Sequence, residues 1–467
     1  MARLAIVDEP ARARAHSAVH SHIVAGYASG IAASCAPPTP APGTSAPPAK
    51  HTTHAGWVVT AYLLSASVAT PIAGRLGDMY GKRRVLLIAL SLLGTGTLIA
   101  ALASNLAVLI AGRLVQGTGG AIVPLPIGIV RDELPAEQVG LAVGVNSALL
   151  GVGGGLGSVL SGPIVEQLSW HWLFWFPLAL IAVAAVGIAL GVPESPVRTR
   201  GRIDVPGTLL LSVGLVCLLL ALSKGSAWGW GSGATLGLFG GAACALLVWG
   251  LVETRGSTPL VDMRMLALRG MWTTLLAGLT LRVGMFGSVL LMPQLLELPA
   301  STGHGFGKTV SEAGLFLLPA TTVMIIFSPL SGLLDRYFGA KPPMVLGVII
   351  TAASFVVLAV AHTEVWQVLL SVTLFGIEIG LSSAAMANAI VASVPPTQTG
   401  VATGLNTLMR NIGGSIGTAV LAALLSTNAV GHVPTDTAFT ITFWTCAGVL
   451  ALGLLGALML PRRSTGA

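Results

Sequence analysis

The chain has 467 residues, of which 54% are hydrophobic and only 9% charged, and its mean hydropathy is +0.85. A soluble globular domain carries about 25% charged residues, so the composition excludes a solvated single domain, a disordered tail protein and a nucleic-acid binder with a basic face. Apolar runs recur from Trp57 onward, and a bilayer span needs about 20 mostly apolar residues. The runs are continuous rather than alternating, which argues against a β-barrel. The fold class is therefore all-α, a polytopic protein whose first partner is the lipid bilayer.

Residues 1–55 stand apart. They hold seven of the 27 prolines and five of the nine histidines, and no apolar run of spanning length. The longest, 23–36, is too short to cross. His16, His20, His22, His51 and His54 share their spacing with no Cys or carboxylate, so the segment reads as a polar tail, not a metal site. Cys35, Cys217, Cys244 and Cys446 likewise have no metal-ligand spacing.

After Trp57 the pattern predicts thirteen spans, at 57–74, 85–103, 106–129, 138–160, 172–192, 206–222, 234–252, 271–292, 311–334, 343–361, 366–392, 399–425 and 437–460. The net charge of +7 is read by position. One set of loops holds 15 of the 24 basic residues, among them Arg83, Arg200, Arg269, Arg336 and Arg463, whereas the opposite set holds Lys224 and Lys308. The positive-inside rule then puts the first set and the C-terminus in the cytosol. Thirteen spans with a cytoplasmic C-terminus leave the N-terminal tail outside, although it carries Arg3, Arg12, Arg14 and Lys50.

The first interhelical loop reads Gly74-Arg-Leu-Gly-Asp78-Met-Tyr-Gly81-Lys82-Arg83-Arg84. Its glycines permit a tight turn and close helix approach. Asp78 is suited to accept charge-assisted hydrogen bonds from helix N-termini or arginines, and the basic cluster to anchor the loop in the cytosol. This string resembles the cytoplasmic signature of the major facilitator superfamily. A weaker copy, Gly332-Leu-Leu-Asp335-Arg-Tyr-Phe-Gly339, follows some 258 residues later, as expected of two related halves. Arg113-Leu-Val-Gln116-Gly117-Thr-Gly119 looks like the helix-4 signature of the same superfamily, and the resemblance implies a part for Arg113 in proton coupling.

The span around Gly151, Gly155, Gly162 and Pro163 packs small residues at helical spacing. It resembles the superfamily's antiporter signature, with the Gly-Pro displaced toward the end. Aromatics at Trp170-His-Trp172 and Trp228-Gly-Trp230, with two additional central spans, make residues 57–460 similar to the fourteen-helix drug:proton antiporter group. The resemblance implies two six-helix halves (56–195, 256–467) flanking two linker helices (196–255), after the tail at 1–55. Members of that group begin with an Asp-bearing helix that nothing in residues 1–55 matches, so the counted spans are expected to be helices 2–14.

Glu378 falls in mid-span, between Gly376 and Gly380, where a carboxylate is costly and is suited to exchange protons. Arg113 is the expected electrostatic partner of the cavity, and Arg282 and Arg410 are further candidates for coupling. The resulting expectation is a proton-coupled exporter of small amphipathic or cationic molecules, monomeric, in the plasma (inner) membrane of a bacterium. No cofactor and no metal are expected, and no enzymatic site is evident, since the spans lack a Ser/His/Asp set. The alternative is a truncated or non-transporting membrane protein.

Overall fold

The computed structural model describes residues 48–195, 197–199, 204–256, 259–427, 429–430 and 433–460. Helix α1 (Pro48–Tyr80) is followed by α2 (Lys82–Ala101), α3 (Leu106–Gly117), a 3-10 turn at Thr118–Ile122, α4 (Pro124–Glu133), α5 (Ala136–Gln167) and α6 (Trp172–Gly191). The central pair is α7 (Val205–Trp228) and α8 (Gly233–Arg255). After the short α9 (Met263–Ala267) come α10 (Arg269–Glu297), α11 (Val310–Leu315), α12 (Leu318–Phe338), α13 (Lys341–Val360), α14 (Val365–Ser393), α15 (Thr399–Thr427) and α16 (Asp436–Leu458). A two-rung hairpin, Ala429–Val430 against Val433–Pro434, joins α15 to α16.

Among the described residues twelve helical stretches are long and apolar enough to cross a bilayer. The 32-residue α5 adds a further helix of spanning length, so the count agrees with the thirteen spans read from the sequence. Outward faces are greasy, as at Val183, Leu190 and Leu247. Inward faces are rich in Gly, Ala, Ser and Thr, as packing between helices in lipid requires.

Local chemistry sets the breaks. The first two helices are separated by Gly81 alone, whose φ of 109° an L side chain rarely adopts. The loop expected over 74–84 is thus mostly helix, with Asp78 on its last turn. The third span is interrupted at Thr118–Ile122 because Pro124 and Pro126 supply no N–H to the preceding turn.

Two apolar clusters fill the first half, one around Leu90, Leu125 and Ile188 and one around Val58, Leu109 and Phe174. A larger one, around Met292, Phe355 and Phe439, fills the second. Helix α7 lies against both α1 and α15, and its Leu211, Leu215 and Leu219 join a core shared with Val401, Leu405 and Leu408 of α15. The halves meet along two seams, α1 on α15 and α12 on α5.

Candidate functional site

At the basic end of the first seam, the last turn of α1 meets the first turn of α15. Asp78 is 1% exposed, and its two carboxylate oxygens accept the backbone N–H groups of Gly400 and Val401, each at 3.0 Å. These are donors that a helix N-terminus leaves without intrahelical partners, and the helix dipole adds to the attraction. A Cβ on Gly74 would overlap the Gly400 carbonyl, and one on Gly400 would crowd the Gly74 carbonyl. Both glycines are therefore required for this approach.

Lys82 does not anchor the loop in solvent as the sequence suggested. It is fully buried, bonded to Asp132 of α4 and 3.8 Å from Asp78. A cation between two buried acids offsets part of the cost of taking these groups out of water. The cation beside Asp78 is thus a lysine and not the expected arginine. Arg131 acts on the same helix end by donating to the Thr399 hydroxyl at 2.6 Å and the Val394 carbonyl at 2.7 Å.

The segment after α6 straps this clasp. Glu194 accepts the Arg83 backbone N–H at 3.1 Å and faces the Arg84 guanidinium at 3.5 Å, and Ser195 donates to Asp132. Thr199 donates its N–H to the Asp78 carbonyl and its hydroxyl to the Thr397 carbonyl. Asp132, Glu194, Ser195, Thr199 and Arg131 were missed in the sequence. The adjacent charges Arg131-Asp132 at the end of a span were the only signal for any of them.

The second copy of the motif builds a parallel seam. A Cβ on Gly332 would overlap the Gly140 carbonyl, and Ser328 donates to the Gly144 carbonyl at 2.8 Å. Asp335 lies on the last turn of α12, beside Gly140, and the helix ends at Gly339, whose φ is 80°. Arg336 and Glu137 pair across this seam at 3.6 Å in the open. Gly151, Gly155 and Gly162 fall within α5, and the packing at those positions lies outside the described residues; Pro163 is an exposed residue inside the same helix.

Arg113 is 4% exposed on α3 and is held within the first half. Its guanidinium donates to Gln116 at 3.1 Å and stacks over Phe174 at 5.0 Å, and Gln116 in turn donates to Thr97 at 2.9 Å. Glu378 has other charged neighbours. Glu378, near the middle of α14 and 3% exposed, shares a small recess with Arg282 of α10 and Arg410 of α15. Both guanidiniums act on it electrostatically. Among the described residues Arg282 donates to the Met285 sulfur at 2.8 Å and lies by the Phe286 face, and the Nε atoms of Arg282 and Arg410 have no hydrogen-bond partner. The rest of the wall is Leu281, Met285, Ile379, Ser383 and Met386.

The family model described as Major Facilitator Superfamily matches residues 22–296 and 274–467. The chain belongs to the major facilitator superfamily. As a superfamily member it is a membrane transporter and not an enzyme. It is 31% identical over 390 residues to the tetracenomycin C resistance and export protein of Streptomyces glaucescens, covering 81% of this chain and 70% of that one. It is 29% identical over 384 residues to the multidrug transporter protein MdtP of Bacillus subtilis, with the same coverage. Among solved structures, the proton:xylose symporter XylE superposes with a TM-score of 0.68 over 97% of both chains at 16% identity. The human organic anion transporter MFSD10 gives 0.61 at 16% identity, covering 96% of this chain and 93% of that one. At such identities these two report the shared fold alone.

Proposed function

We propose that this superfamily member is a proton-coupled exporter of small amphipathic molecules in the plasma membrane of a bacterium, working as a monomer. In this reading the Asp78 end and the C-terminus face the cytosol, the two halves are 56–195 and 256–467, and 196–255 links them. The names of the relatives support export, and the clustering of Arg83, Arg84, Arg131, Arg198 and Arg269 at one end supports the orientation. The observation that carries the coupling is Glu378, a carboxylate in mid-membrane facing guanidiniums from two other helices.

Ionised Glu378 holds α10 and α15 through Arg282 and Arg410. Taking up a proton removes that hold, so the two protonation states favour different packings of these helices, and a gradient biases the cycle. Helix α15 joins this event to the clasp, because Val401 and Arg410 stand nine residues, about 14 Å, apart on one helix. Asp78 on the N-terminus of α15 then serves as the cytoplasmic latch, and Gly332 and Asp335 mark its counterpart.

Purified protein in proteoliposomes under an imposed pH gradient tests the reading with neutral, cationic and anionic fluorescent amphipaths. Wild type is expected to move at least one of them against its gradient, and Glu378→Gln to lose that drive. Absence of gradient-driven flux for all three rules out proton-coupled export. In a cysteine-free background, a cysteine at Lys308 should react with an impermeant reagent in intact cells and one at Arg269 should not; the reverse would invert the orientation.

A further inference from the structure

The central helices α7 and α8 are attached to the two halves by different chemistry at their two ends. Toward the basic end the attachment is to the second half. Leu211, Leu215 and Leu219 of α7 are buried in one cluster with Val261, Met271 and Leu405, while α1 adds Leu64 and Val68 at its edge. Glu253 of α8, 3% exposed, accepts the Val261 N–H at 3.4 Å and the Trp249 indole N–H at 3.0 Å. The connection that leads into α10 is thereby held against the end of α8.

At the opposite end the attachment is to the first half, and it is polar. Ser223 of α7 and Thr60 of α1 share a hydrogen bond, and the Lys224 ammonium lies 4.0 Å from the centroid of the Trp57 ring. Trp57 and Thr60 are three residues apart, so both contacts fall on one face of α1. Lys224 is 6% exposed, and a cation on an aromatic face binds more strongly out of water. Nearer the basic end Thr208 and Ser212 donate to carbonyls one turn back in their own chain. The two helices are also closely packed on each other: a Cβ on Gly214 would overlap Leu246, and one on Gly225 would overlap the Trp230 ring. They form one stiff hairpin.

We propose that the α7–α8 hairpin is a diagonal brace, pinned to the first half by Lys224–Trp57 and Ser223–Thr60 at one membrane face and to the second half by Glu253 and the α7 leucines at the other. The inference rests on the transport reading only in taking the two halves to part at one end at a time. Such a brace treats the two ends unequally. When α1 and α15 part at the basic end, the lower part of α7 stays with α15 and the hairpin turns about its pin on α1. When the halves part at the opposite end, Lys224 is drawn off Trp57 and the Ser223–Thr60 bond breaks. The pin therefore shifts the population away from the state open at that end, and whatever opens it must supply the difference.

The test uses the full-length protein in lipid nanodiscs with pairs of spin labels at exposed positions in a cysteine-free background. Leu102 and Thr363 report the end away from the basic loops, and Val205 reports the lower end of α7 against Tyr80 of the first half and Leu268 of the second. Lys224→Met combined with Ser223→Ala should shift the Leu102–Thr363 distribution toward longer distances by at least roughly tenfold in population. Lys224→Arg alone, which keeps a cation over the ring and controls for misfolding, should leave it as in wild type. A disulfide between cysteines at Thr60 and Ser223 should remove the long component, which returns on reduction. In Gly74→Val, Val205 should keep its distance to Leu268 and move away from Tyr80. An unchanged Leu102–Thr363 distribution in the double variant overturns the brace whatever happens at the basic end, and so does Val205 staying with Tyr80 while leaving Leu268. No substrate and no pH gradient are used, so failure of the brace and failure of proton-coupled export are read separately.

Discussion

Asp78 and Glu378 are both almost fully buried carboxylates, yet their surroundings differ in kind. Asp78 has an N–H on each oxygen and a buried lysine beside it that also bonds Asp132, whose second oxygen has no hydrogen-bond partner among the described residues. Glu378 shares a small recess with two guanidiniums whose buried Nε atoms have no partner among the described residues. A carboxylate with a backbone N–H on each oxygen is fixed in one arrangement, whereas one without such donors is freer to exchange a proton. On the proposed reading one acid locks the protein and the other works it.

The largest expected effect breaks this comparison at its working side. Glu378→Gln keeps the shape and removes the charge, and gradient-driven flux should fall by at least about a hundredfold, the scale of a lost general acid–base group. The protein should still assemble, as judged by a monodisperse profile and membrane yield. Retained flux with an unchanged pH profile would make Glu378 structural.

Asp78→Asn strikes the locking side. An amide keeps an oxygen for one of the two N–H groups but leaves Lys82 with Asp132 alone, and breaking a buried pair costs about 3–5 kcal/mol. Thermal unfolding should come earlier and efflux should fall by roughly tenfold, with the pH dependence of residual transport unchanged. A shift in pH dependence would give Asp78 part of the proton chemistry.

The two seams sharpen the comparison further. Valine at Gly74 or at Gly332 puts atoms where the Gly400 or Gly140 backbone now lies, and each should hold the basic end apart. Spin-label distances across that end should lengthen in both variants. The Gly74 variant should change more, because it also separates Asp78 from its N–H donors. The smallest effect is expected at the exposed Arg336–Glu137 pair: Arg336→Gln should alter stability by no more than about 1 kcal/mol and leave flux near wild type.

Much of this architecture was legible because lipid imposes it. Continuous apolar runs gave the helices, and alternating basic loops gave a candidate orientation that labelling can test. The Gly74–Arg84 string exposed the clasp because its glycines and Asp78 are local. What stayed hidden depends on distant chain segments. Nothing beside Lys82 in sequence announces that Asp132 lies over it, and a basic cluster ordinarily faces water. Arg113 and Glu378 were both recognisable as costly intramembrane charges, but which charge meets which is decided by helix packing. Arg282 and Arg410 were visible as candidates, and only the fold brings them to Glu378. The strap residues Glu194, Ser195 and Thr199 lie in an ordinary polar connection with no distinguishing pattern.

The most direct measurement follows the proton on the carboxyl itself. Infrared difference spectroscopy of the reconstituted protein, at fixed pH, should show the protonated-carboxyl band weakening when an amphipath that the protein exports is added to wild type. The same loss should persist in Asp78→Asn and vanish in Glu378→Gln. A band loss that survives in Glu378→Gln, or one that disappears in Asp78→Asn, would contradict the assignment of proton exchange to Glu378 and locking to Asp78.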